Sequence, residues 1–234
     1  MGVVLNKHTI EQIARLHDED YDRRAKVFLD GYLDRSHLTK EELDAAGYIY
    51  PKRSHLTVCE LQAVIDWKWP AGKTKKHAAK NGVEKVASVT GKAFAARDPI
   101  EAVRTLRGLH GVGVPMASAI LTSFDPLRFT VLDVRAWNAL KLLRLLDQLE
   151  LAEFDGRLDE PETYAAYLQG CVRLADDAGV SLRSLDRCLW TLDASRSVMN
   201  QTGLYGWARD GVTLAPILTQ SVRTANGYGR SEGS

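Results

Sequence analysis

The segment Leu109-His110-Gly111-Val112-Gly113-Val114-Pro115 constrains this chain most, because it stops one helix and starts another with almost nothing between them. Upstream, Asp98-Pro99-Ile100-Glu101 has a carboxylate at the N-cap, proline at the first helical position and glutamate where a capping box needs it. Val103, Leu106 and Leu109 follow at helical spacing until Gly111 and Gly113 interrupt the pattern. A second apolar helix is expected from Pro115 to about Phe124, so the glycines form a very short turn. Such a turn exposes backbone amides at a helix N-terminus, where the positive end of the dipole suits a phosphate oxygen and asks nothing of the rest of the ligand.

The remainder of the chain also reads as helical, and the expected fold class is all-α. Amphipathic spacing covers about His8 to Asp34, Thr39-Lys40-Glu41-Glu42 opens another helix, and further helices are expected over Thr57 to Trp67 and Gly82 to Ala95. After the hairpin, Asp125-Pro126 turns the chain and Phe129 to Leu132 is extended. Val134, Trp137, Leu140 and Leu143 mark the next helix, followed by Pro161 to Asp177 and Leu182 to Leu192. The organisation expected is an N-terminal helical segment over 1–55, a core over 56–200 and a C-terminal extension over 201–234, small and polar from about Arg223. With 45% hydrophobic residues in 234, the chain can bury a good core as one large or two small lobes.

A lone carboxylate completes the pattern. Asp133 lies twenty residues beyond Gly113, just before a helix. An aspartate there is an N-cap worth about 1 kcal/mol, and the same carboxylate can also serve chemistry.

Residues Leu109 to Ala117 resemble the helix-hairpin-helix consensus of hydrophobic, any residue, Gly, hydrophobic, Gly, three residues, Ala, with His110 where family members often carry proline. Phe129-Thr130-Val131-Leu132-Asp133-Val134-Arg135 is similar to the stretch in helix-hairpin-helix DNA glycosylases where an aspartate opens the next helix. The resemblance is most specific from about Leu106 to Leu140 and extends weakly over roughly 55–195. It implies a two-lobed helical glycosylase fold with the site in the cleft. It also implies contacts to double-stranded DNA from His110, Gly111, Val112, Gly113, Val114 and Arg135, and Asp133 as the catalytic carboxylate. Breaking an N-glycosidic bond builds positive charge on the sugar, which a nearby carboxylate stabilises while orienting or deprotonating the attacking water. A base must leave the stack to be cut, and Trp67, Trp69, Pro115 and Trp137 are the expected pocket residues. Trp137, one turn after Asp133, is also a candidate for core packing.

The departures from the family pattern narrow this expectation. Glycosylases that also cleave the backbone use a lysine two residues beyond the second glycine as a Schiff-base nucleophile. Here that position is Pro115, so the resemblance implies a monofunctional enzyme that uses water and leaves an abasic site. Cys59, Cys171 and Cys188 are too few and too far apart for an iron–sulfur cluster, and the six histidines show no i,i+4 pair. No metal or cofactor is expected. The alternative is a non-catalytic DNA-binding protein that keeps the hairpin as a phosphate clamp.

A net charge of +1 hides an uneven distribution. From Asp66 to Lys92 seven lysines, Lys73, Lys75 and Lys76 among them, stand against two acids, whereas Asp147 to Asp177 has nine acids against two arginines. One basic part suits phosphate, although Lys73 to Lys80 can equally be a solvated segment. In Trp67-Lys68-Trp69 the rings can stack on bases while the ammonium meets phosphate. The first residues lack a secretory apolar run and no stretch reads as a membrane span, so a cytoplasmic, nucleoid-associated monomer is expected.

Overall fold

The computed structural model describes residues 5–15, 54–69 and 80–202. Among these residues all regular structure is helical: α1 (Lys7–Arg15), α2 (Val58–Lys68), α3 (Val83–Ala95), α4 (Pro99–Leu106), α5 (Val114–Phe124), α6 (Val134–Leu142), a 3-10 turn (Ala152–Phe154), α7 (Pro161–Ala178) and α8 (Leu182–Thr202). The all-α expectation holds. Most of the first amphipathic segment, the helix expected at Thr39, the lysines Lys73, Lys75 and Lys76, and the tail from Arg223 lie outside the described residues. None of the described helices is long and apolar enough to cross a membrane.

Helix starts follow the local chemistry. Thr57 opens α2 by a reciprocal capping box: its hydroxyl accepts from the Glu60 amide at 3.2 Å, and the Glu60 carboxylate accepts from the Thr57 amide at 2.8 Å. The Asp98 carboxylate caps α4 through the Ile100 amide at 3.0 Å, with Pro99 at the first helical position. Helix α5 is buried along its whole length except at Pro115, as expected of a helix enclosed by its neighbours. It contacts α2, α4 and α7, while α8 carries α1 and α6 against it. One apolar core joins these elements, so α1, from the expected N-terminal segment, shares the core of residues 56–200.

Two details position the site. First, α4 ends at Leu106, not at Leu109. Weakly helical Gly108 follows, and the chain descends through three-residue turns, Gly108 N to Thr105 O at 3.1 Å and Leu109 N to Leu106 O at 3.0 Å. The connection to α5 is therefore longer than expected, although Leu109 stays buried. Second, the extended stretch 129–132 has no strand partner among the described residues, and side chains bond its backbone. Ser118 Oγ accepts from the Leu132 amide at 2.9 Å, while the buried hydroxyls of Tyr164 and Tyr167 donate to the carbonyls of Thr130 (3.3 Å) and Val131 (3.2 Å). These bonds fix the path of the chain into Asp133.

Candidate active site

Asp133 does what its position predicts and more. One carboxylate oxygen caps α6, accepting from the Ala136 amide at 2.9 Å. The other accepts from Lys68 Nζ at 2.8 Å. Lys68 is the last residue of α2, and its side chain is 4% exposed against 18% for Asp133, so this is a nearly dry ion pair. Burial alone would raise the Asp133 pKa, but the charge and hydrogen bond of Lys68, the Ala136 amide and the Arg135 charge together hold it below the ordinary carboxylate range. Asp133 is therefore an anion at neutral pH.

A cavity of about 330 Å³ opens over this pair. It lies between the end of α2 (Lys68, Trp69), Pro115 in the first turn of α5, the start of α6 (Asp133, Val134, Arg135) and Trp190 of α8. The volume falls within the range of small-molecule pockets. Trp69 and Val134, 55% and 61% exposed, leave apolar surface at the cavity. Arg135 reaches from α6 to Asp193 at 3.3 Å and lies 5.2 Å from the Trp190 ring centroid.

A second, water-sized cavity of about 10 Å³ adjoins the same pair, lined by Trp67, Lys68, Val131, Asp133, Arg183, Asp186 and Trp190. Arg183 and Asp186, both nearly inaccessible, form an ion pair within the first turns of α8, and the Arg183 guanidinium lies 5.4 Å from the Trp67 ring. Burial pushes the Asp186 carboxyl up to about 6. Arg183 and Lys68 oppose that rise, and Asp133 adds to it.

The glycine turn stands beside this site through Pro115. Gly111 takes a left-handed conformation, φ 79°, which a side chain would strain. Gly113 is extended, with φ −90° and ψ −178°, and a Cβ there would meet nothing closer than a Pro115 carbon at 4.0 Å. The fold itself does not require glycine at 113. The Asn81 side chain clamps the turn from the start of α3, donating to the His110 carbonyl at 3.1 Å and accepting from the His110 amide at 2.8 Å.

Several expectations need correction here. Trp137 is not among the pocket residues: its ring lies in the core 6.2 Å from Tyr167, and its Nε1 donates to Asp155 at 2.9 Å. Val112 and Val114 are buried, so only their backbone can meet a ligand, while His110 is exposed. Trp67 lines the smaller cavity, and Trp69 and Pro115 line the larger one. Sequence reasoning gave the Lys68 ammonium to phosphate, whereas it bonds Asp133, and it missed Asn81, Arg183, Asp186 and Trp190. Comparison with protein-family models, curated proteins and solved structures finds no match to this chain.

Proposed function

We propose that this chain is a monofunctional DNA glycosylase of the two-lobed helix-hairpin-helix type, acting as a cytoplasmic, nucleoid-associated monomer. It binds double-stranded DNA, draws a damaged or modified base into the 330 Å³ pocket and hydrolyses the N-glycosidic bond. The observation that carries this reading is the ionised Asp133 in an open, tryptophan-flanked pocket beside the glycine turn. The turn and the first amides of α5 hold the backbone phosphates, since the first N–H groups of a helix have no partner within it. Trp69 and Trp190 offer faces on which a base can stack. Asp133 stabilises the positive charge that develops on the sugar.

Water is the nucleophile in this reading. Lys68 is the amine in the pocket, and as an ammonium bonded to Asp133 it has no lone pair with which to attack. Treatment with borohydride during turnover should therefore trap no covalent protein–DNA adduct, and strand breaks should appear only after alkali. An adduct that is lost in Lys68→Met would replace the hydrolytic mechanism with a Schiff-base one.

The two glycines separate fold from ligand binding. Gly111→Ala should cost about 1–2 kcal/mol of stability through its left-handed backbone. Gly113→Ala should melt like the wild type, because the space and backbone permit a Cβ there, yet bind duplex DNA more weakly by blocking close approach of the phosphate. Fluorescence anisotropy and chemical denaturation measure both effects. Unchanged affinity in Gly113→Ala would remove the turn from the DNA interface.

A further inference from the structure

The 330 Å³ pocket and the water-sized cavity adjoin at Lys68, Asp133 and Trp190, which line both. Asp186 lines only the smaller of the two, buried at the first turns of α8. The carboxylate facing substrate thus shares that space with a second carboxylate, with room for about one water among the two and their cations. We propose that Asp186 is the proton acceptor of the excision reaction, drawing the proton of the attacking water through a water held in the smaller cavity, while Asp133 remains an anion throughout. The inference rests on reading the larger pocket as the excision site.

The division of labour follows from the surroundings. Asp133 is held charged by Lys68 and by two further positive neighbours, the Ala136 amide and Arg135, so it is a poor place to leave a proton. Asp186 faces Arg183 on its own helix, Lys68 from α2, Asp133 at the head of α6 and the buried Tyr164, Tyr167 and Cys171 of α7. Its burial brings it to about 6, close to where a general base at neutral pH works best. Two carboxylates pushed apart in this way are suited to different tasks. Nothing in the helix-capping role of Asp133 requires a second ionisable carboxyl in that space.

The step balances without any co-reactant. An O–H bond of the attacking water breaks as its oxygen bonds to C1′ of the sugar, and the C1′–N bond breaks with its electron pair leaving on the base. The proton passes along the held water to Asp186. The departing base takes a proton from solvent and Asp186 later gives its own up to solvent, so the products are the free base and an abasic site. Arg183, paired with Asp186 in the resting state, keeps the carboxylate ionised and ready.

Single-turnover excision measured from pH 5 to 8 tests this with wild type, Asp186→Asn and Asp133→Asn. In wild type the rate should rise with pH through about 6, where Asp186 loses its proton. Asp186→Asn should lose about 100-fold at neutral pH and show no rise near 6. Should the lone Arg183 charge unfold that variant, Arg183→Met/Asp186→Asn removes both charges and carries the same expectation. Wild-type rates with an unchanged pH profile in the folded variant overturn the role of Asp186 while leaving the pocket assignment intact. If wild type releases no base from any duplex, the pocket assignment itself fails and takes this inference with it.

Discussion

Asp133→Asn is expected to lower the rate of base excision about 1000-fold, the scale of removing a preorganised charge from a transition state, while leaving α6 intact. Asparagine caps a helix as well as aspartate does, so its Oδ1 still accepts from the Ala136 amide that Asp133 now holds at 2.9 Å. The variant therefore separates the cap from the charge, at a cost in stability because the buried Lys68 loses its anion. Binding to duplex DNA should survive, because the glycine turn is untouched. Circular dichroism and anisotropy establish the fold and the binding, and single-turnover kinetics measure the loss. A rate within a few-fold of wild type would reduce Asp133 to a cap.

Lys68→Met should be the most damaging substitution to stability in the site. It leaves a buried carboxylate without its cation, and breaking a buried pair from one side costs about 3–5 kcal/mol. The pH dependence identifies the cause. In the wild type the folded Asp133 holds its proton less tightly than the unfolded chain does. The pair's contribution is therefore full above the ordinary carboxylate range and is lost as the pH falls through the folded value. In Lys68→Met, burial is no longer opposed by Lys68, and Asp133 moves up. The deficit against wild type should then be large at pH 7 and shrink toward pH 4, as measured by chemical denaturation. Lys68→Arg, which keeps the charge, should recover part of the loss. A deficit independent of pH would mean that Lys68 acts through packing alone.

Much of this architecture was legible in the residues. The caps at Asp98 and Asp133 and the start of α5 after the glycines are local chemistry, decided within a few positions, and each stands where its pattern puts it. The exact end of α4 was not, because Gly108 weakens a helix that Leu109 still extends as an apolar pattern. Lys68 was read as one more member of a basic run, yet it lies seven residues after Leu61 and three after Ile65, on the apolar face of α2. Asp186 shows the same sign, four residues after Leu182 and three before Leu189. A charge at an apolar-face position signals a buried partner. Which partner cannot be read locally, since Lys68 and Asp133 are sixty-five residues apart and meet only when α2 packs on α5.

Gly113 gives the opposite lesson. The motif pairs it with Gly111 as if both glycines served the turn, but only Gly111 has a backbone that requires one. No contact within the described residues requires the side chain to be missing at 113. That distinction belongs to the backbone angles and is invisible in the letters.

The most direct test of the account is mass-spectrometric detection of free base released from a panel of duplexes carrying alkylated, oxidised, deaminated and hypermodified phage-type bases. With wild-type protein the account predicts release of a base from at least one duplex, with an equivalent yield of abasic sites, and no release above background with Asp133→Asn. Tight, salt-sensitive binding to every duplex with no base released from any would contradict it and leave a DNA clamp in place of an enzyme.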